Sequence, residues 1–124
     1  MDKNYYITTP IYYPSAKPHM GHAYSSIIAD FFARFKRMDD FNVYFLTGTD
    51  EHGLKIQRAA EKQNIDAIEF CDQISQTFRD LSDTLNLSNT DFIRTTEARH
   101  KKTVQHLWNE LEKNDDIYLS LIHI

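Results

Sequence analysis

The sequence predicts an α/β fold, a parallel sheet with flanking helices, and three observations carry that prediction. Tyr5 to Thr8 is an aromatic and β-branched run that reads as a strand. Pro18 then opens a long stretch in which Tyr24, Ile27, Ile28, Phe31, Phe32 and Phe35 recur at three and four residues, marking one buried helix face. Val43 to Leu46 is a second strand, apolar enough to be buried on both faces. Strand, helix, strand with so short a crossover implies parallel pairing.

The remaining elements follow in order. Pro10, Pro14 and Pro18 punctuate a turn-prone stretch after the first strand. Asp30, Arg34, Lys36 and Arg37 fall mostly between the apolar positions of the first helix, and Asp39-Asp40 ends it. After Gly53 a short helix runs through Lys62. Asp66-Ala67-Ile68-Glu69 reads as a capping box for a third helix that buries Phe70, Ile74, Phe78, Leu81 and Leu85. Asp91 to Thr95 is a brief strand. A last helix, Glu97 to Lys113, places Val104, Leu107, Trp108 and Leu111 on one face, and Asn114-Asp115-Asp116 stops it. With neither internal repeat nor linker, the chain reads as one continuous block.

Composition narrows the class. A chain of 124 residues with 41% apolar and 26% charged residues is globular and holds one ordinary domain. Eight Phe, seven Tyr and one Trp supply ample surface for a core. A net charge of −4 argues against a bulk field that grips nucleic acid, and no DNA partner is expected. Cys71 stands alone, so there is neither an internal disulfide nor a cysteine-pair zinc site. Met1 to Tyr6 is too short and polar for a signal peptide. No run approaches the roughly 20 apolar residues of a membrane helix. The expected setting is soluble and cytoplasmic, with no membrane partner.

Two segments carry chemistry: Pro18-His19-Met20-Gly21-His22-Ala23-Tyr24 and Thr47-Gly48-Thr49-Asp50-Glu51-His52-Gly53. The first lies at a helix start, where free N–H groups and about half a positive charge favour phosphate. His19 and His22, three apart, share a helix face, and each imidazole can donate to an anionic oxygen. Gly21 between them lets a flat base or sugar lie against the backbone. Two other roles fit the same residues: a pair of helix-start histidines without a ligand, or a metal site built from His19, His22, His52 and Asp50. The second segment ends a parallel strand, and open α/β sheets bind ligands beyond strand carboxyl ends. Asp50 and Glu51 are costly there if buried unpaired and useful if they face a cationic ligand group. Asp50 also fits as an N-cap for the next helix. Gly21, Gly48 and Gly53 are the chain's three glycines, and all fall in these two candidate site loops.

These strings, with Tyr6-Ile7-Thr8-Thr9-Pro10-Ile11-Tyr12-Tyr13 before them and Phe45-Leu46 leading into the second, resemble the amino-terminal part of the bacterial methionyl-tRNA synthetases. The His-x-Gly-His signature is shared with other class I synthetases and related adenylyltransferases; the Thr-Gly-Thr-Asp-Glu-His-Gly string placed after it is narrower. The likeness continues through Arg99-His100-Lys101-Lys102 and Leu107-Trp108 to Tyr118. It implies the first part of a Rossmann-like catalytic domain over residues 1–118. It also implies a reaction in which the carboxylate of methionine attacks the α-phosphorus of ATP and the methionyl group then passes to tRNA. By the same resemblance His19 and His22 are catalytic, stabilising charge on phosphate oxygens. Gly21 lies under the adenine, Asp50 holds the amino-acid ammonium, and Ile11 (through its backbone) and Tyr13 shape the methionine pocket. Gly48, Glu51, His52 and Gly53 support that site. ATP is expected with Mg2+ as counter-ion, and no residue is assigned as a metal ligand.

The family's Lys-Met-Ser-Lys-Ser string is not in the sequence, and a zinc knuckle would begin past Tyr118, so zinc content is not legible. The expectation is a front portion of a longer enzyme, inactive alone. The rival readings are a small adenylyltransferase and a non-catalytic nucleotide-binding remnant. Leu119-Ser120-Leu121-Ile122-His123-Ile124 departs from the family pattern and matches a translation of a common transposase sequencing adapter, CTG-TCT-CTT-ATA-CAC-ATC. It is expected to be a non-native tail, the alternative being an ordinary apolar strand.

Overall fold

Strands β1 (Asn4–Thr8) and β2 (Asn42–Thr49) pair in parallel, with Tyr5 opposite Val43 and Ile7 opposite Phe45, and helix α1 (Met20–Met38) crosses between them. Strand β3 (Asp91–Arg94) adds in parallel to the other edge of β2, giving the order β1-β2-β3. Helices α2 (Leu54–Gln63) and α3 (Ala67–Thr84) connect β2 to β3, and α4 (Ala98–Lys113) follows. This computed structural model describes residues 3–120 and Ile122. Within the expected tail, Leu119 and Ile122 are exposed, and Leu121, His123 and Ile124 lie outside the described residues.

The core sits on one face of the sheet. Val43 and Phe45 meet Ala29 and Ala33 of α1, with Tyr5, Ile7 and Phe41 around them. Phe92, level with Thr47, points to the same face and joins Phe78 of α3 and Tyr12. Ile56, Ala60, Phe70 and Cys71 fasten α2 to α3. Asp66 caps α3 by accepting the Ile68 N–H at 2.8 Å, but the expected capping box is half made. Glu69 accepts from Gln73, one turn on, instead of returning to the cap.

Three expectations are corrected here. The first concerns α1, whose periodic stripe is exposed: Tyr24 is 68% and Phe31 63% accessible, and Ile27, Ile28, Phe32 and Phe35 are open too. The helix buries Ala23, Ser26, Ala29, Asp30 and Ala33 instead. Small side chains let its backbone approach β2, and the bulky stripe turns away. Asp30 is buried because Arg34 and the backbone N–H and hydroxyl of Ser88 bind it. Burial pushes its carboxyl up, yet the Ser88 and Arg34 bonds outweigh that and hold it below the usual range. The second concerns β2, which is longer than Val43 to Leu46 and is not buried on both faces along that run: Val43 and Phe45 are buried, Tyr44 is exposed and Leu46 half-buried, and the second face closes only at Gly48. Tyr44 packs against Tyr6 on the other face, and both are open to solvent. The third concerns α4, whose Val104, Leu107, Trp108 and Leu111 stripe is exposed; no residue of that helix is buried.

Candidate active site

The helix start is built by the histidines themselves. α1 begins at Met20, two residues after Pro18, because His19 is its N-cap. The Gly21 N–H donates to His19 Nδ1 at 3.0 Å, and the His19 N–H donates to His22 Nδ1 at 3.1 Å. This is a capping box with imidazoles in both acceptor places. A backbone N–H can only donate, so each Nδ1 must be the unprotonated nitrogen and each Nε2 carries the hydrogen. Capping the helix and donating to a phosphate are therefore compatible in this pair: the capping bonds use Nδ1 and leave two Nε2–H donors. The rings lie 3.9 Å apart between centroids. Burial, then the neighbouring His19, lowers the pKa of His22 and favours its neutral form.

Gly21 serves this arrangement directly, since a Cβ there would stand 2.9 Å from His19 Cε1. His22 is held laterally as well. Its ring meets Tyr12 and Phe78 edge-on at 4.8 and 5.1 Å, while Tyr12 and Phe78 stack on each other. The Tyr12 hydroxyl bonds Ser26 at 3.0 Å and reaches the His22 carbonyl at 3.3 Å.

Tyr12 also joins the two loops. Its N–H donates to the Gly48 carbonyl and its own carbonyl accepts from the Asp50 N–H, each at 2.9 Å. With Tyr12 turned inward, the flanking side chains of Ile11 and Tyr13 face outward, and both are exposed. Tyr13, His19 and His22 line a cleft of about 230 Å³ together with Ser15, Ala16, Lys17 and Lys55. Lys17 and Lys55 were not among the expected site residues, although each lies two positions from a motif residue. They add two cations to the lining of the cleft.

The second segment divides in two. Asp50 is half-buried at the carboxyl end of β2, and its carboxylate has no hydrogen bond or ion pair with the described residues. It does not cap α2; that place belongs to Gly53, at φ 115°, a backbone conformation suited to glycine. Glu51 is buried but not unpaired, and it does not face a ligand. Its side chain is 0% exposed and pairs inside with Arg94 at 2.7 Å, while Thr49 and Thr96 donate to its oxygens. Gly48 lies in β2 and not in a loop. A Cβ on it would fall 1.9 Å from the Ile93 carbonyl, so glycine is what allows β2 and β3 to pair there. His52 turns toward Thr95, whose carbonyl is 3.3 Å from Nε2, and lines a separate cavity with His100, Lys101 and Val104. It is not brought to the His19–His22 cleft. Among the described residues no three His, Cys, Asp or Glu side chains are grouped to hold a metal, so the four-ligand metal site is not formed.

Comparison with known proteins places this geometry among its relatives. The family model for class I (M) tRNA synthetases matches residues 5–124. Over 117 residues the chain is 56% identical to the mitochondrial methionine–tRNA ligase of Takifugu rubripes, covering 94% of this chain and 20% of that protein. It is 55% identical to the methionine–tRNA ligase of Rickettsia conorii over 118 residues, covering 95% and 23%. Among solved structures it is similar to Mycobacterium tuberculosis methionyl-tRNA synthetase in complex with methionyl-adenylate, with a TM-score of 0.93, 47% identity, and 95% of this chain and 23% of that one covered. The chain thus spans about a fifth of the length of the curated relatives it matches.

Proposed function

The chain belongs to the class I (M) tRNA synthetases, and from that premise we propose that it forms the amino-terminal part of the catalytic domain of a methionine–tRNA ligase. The observation that carries this reading is the division of labour between the two loops. One presents two Nε2–H donors at a helix start in the cleft that Lys17 and Lys55 also line; the other presents an unpartnered carboxylate at Asp50. The first suits the phosphates of ATP and the second suits an amino-acid ammonium.

In the proposed activation, the methionine carboxylate attacks the α-phosphorus and pyrophosphate leaves. His19 and His22 donate through Nε2 to the phosphate oxygens on which charge builds, the electrostatic term that usually dominates such transfers. Their capping bonds already fix both rings, so no reorientation is needed as the charge develops. Asp50 holds the ammonium, and the backbone of Ile11 and the ring of Tyr13 bound the methionine side chain, where an aromatic ring against a thioether is a favourable contact. Mg2+ would enter as the counter-ion of ATP. The cleft's lining of lysines and histidines does not suit a divalent cation, and no step here runs through it. Transfer to tRNA completes the proposed reaction, and no residue of this chain is assigned to it.

We take residues 1–118 as this portion and 119–124 as an adapter-derived tail, which resequencing of the source DNA tests. The proposed compartment is the cytoplasm, checked by cell fractionation, since one relative is mitochondrial by name. The function itself is tested by ATP–pyrophosphate exchange on the full-length enzyme. Methionine should support exchange far better than any other amino acid. Exchange that ignores methionine would contradict the reading.

A further inference from the structure

Asp50 stands between two residues that the fold locks. Its own N–H is held by the Tyr12 carbonyl. Before it, the Thr49 hydroxyl donates to Glu51 Oε1 at 2.8 Å, and the Thr49 carbonyl accepts the Thr95 N–H at 3.2 Å. After it, the Glu51 N–H donates to Thr95 Oγ1 at 2.8 Å. One of these bonds, from the Thr49 hydroxyl, ends on the fully buried carboxylate of Glu51, which also accepts from Thr96 and so ties 49–51 to the loop after β3. Its counter-charge is Arg94, at the end of β3, whose Nε reaches Glu51 Oε1 at 2.7 Å and whose second nitrogen reaches Asp72 of α3 at 2.6 Å. Arg94 therefore bolts the end of β2 to β3 and α3 at once. The two carboxylates raise the Arg94 pKa, Glu51 through the larger hydrogen bond.

We infer that Arg94 is a positioning residue for methionine: by neutralising buried Glu51 it fixes the 49–51 segment that presents the Asp50 carboxylate. Without Arg94, Glu51 is left charged and unpaired in the interior and must take up a proton or swing outward. Either response loosens the backbone on both sides of Asp50. An outward Glu51 also sets a second carboxylate beside the ammonium site, where it competes with Asp50 for the same cation. Tyr12 links the Asp50 backbone to His22, but the His19–His22 pair keeps its own capping bonds and shares none with Arg94 among the described residues, so methionine is affected far more than ATP.

The inference rests on the assignment of Asp50 to the methionine ammonium, and the experiment separates the two. KM for methionine and for ATP is measured by pyrophosphate exchange on full-length enzyme carrying Arg94→Met, Arg94→Lys or Asp50→Asn. Arg94→Met should raise the methionine KM at least tenfold and leave the ATP KM within twofold. Arg94→Lys keeps a charge but not the two-armed fork, and should raise the methionine KM by a smaller factor; it carries the test if Arg94→Met does not fold. Equal rises in both KM values, or a lower melting temperature with both KM values unchanged, would overturn the inference and leave Arg94 purely structural. If Asp50→Asn itself leaves the methionine KM unchanged, the ammonium assignment is what fails.

Discussion

At the level of single residues, the histidine pair does two things with different nitrogens, and the two can be separated. His19→Ser keeps a good N-cap and removes the Nε2–H donor. Stability to denaturant should hold in the full-length enzyme while exchange falls about 10²–10³-fold, the usual loss for one such donor. His19→Ala should lose the same rate and a further ~1 kcal/mol of stability with the cap. Equal stability for the two variants would remove the capping role. His22 adds a pH signature. Its folded pKa is lowered, so its contribution to stability is complete above the unfolded value of about 6.5 and is lost as pH falls from there through the folded value. His22→Gln, whose amide can accept the same backbone N–H, should flatten that part of the stability profile between pH 5 and 8. His19, His22 and Asp50 were legible because each sits in a contiguous string at a strand–helix junction. The pairing of Glu51 is not legible because its partner, Arg94, lies on a different strand, and nothing local to either residue announces the pair.

Among the elements, the sequence pattern gives the order of the helices and strands seen among the described residues, but not which body covers each face. The α1 stripe is real, yet the helix packs through Ala29 and Ala33, and the sheet's second face carries exposed Tyr6 and Tyr44. A 3.6-residue period records that a face is apolar; it cannot say whether the covering surface belongs to residues 1–124. The glycines were grouped too simply as loop residues, because close approach of one backbone to another has no sequence period. They should separate by mutation. Gly48→Ala drives a methyl group into the Ile93 carbonyl and should destabilise the full-length enzyme by about 3 kcal/mol or more. Gly53→Ala meets no atom within 4 Å and should cost only the backbone strain of its glycine-only conformation, about 1–3 kcal/mol. Urea titration of both variants distinguishes them; equal losses would mean that the β2–β3 approach is not the constraint.

For the molecule as a whole, these 124 residues carry a completed inner core and uncovered outer faces. α1, α4 and the second face of the sheet all present large apolar side chains to solvent, and β1 and β3 are edge strands among the described residues. Each large side chain left open forgoes roughly 1.5–3 kcal/mol of burial, and a free parallel edge invites pairing with other chains. The purified 124-residue chain should therefore bind a hydrophobic dye, associate with rising concentration, and show no pyrophosphate exchange. A monomeric, dye-silent product that charges tRNA would contradict this. The proposed activation requires that one loop take the phosphates of ATP and the other the ammonium of methionine. Calorimetric titration of full-length Asp50→Asn with each substrate tests that most directly. Loss of a charged hydrogen bond, about 1.5–3 kcal/mol, predicts methionine binding weakened about ten- to a hundredfold with ATP binding unchanged. Equal weakening of both substrates, or none of either, would contradict it.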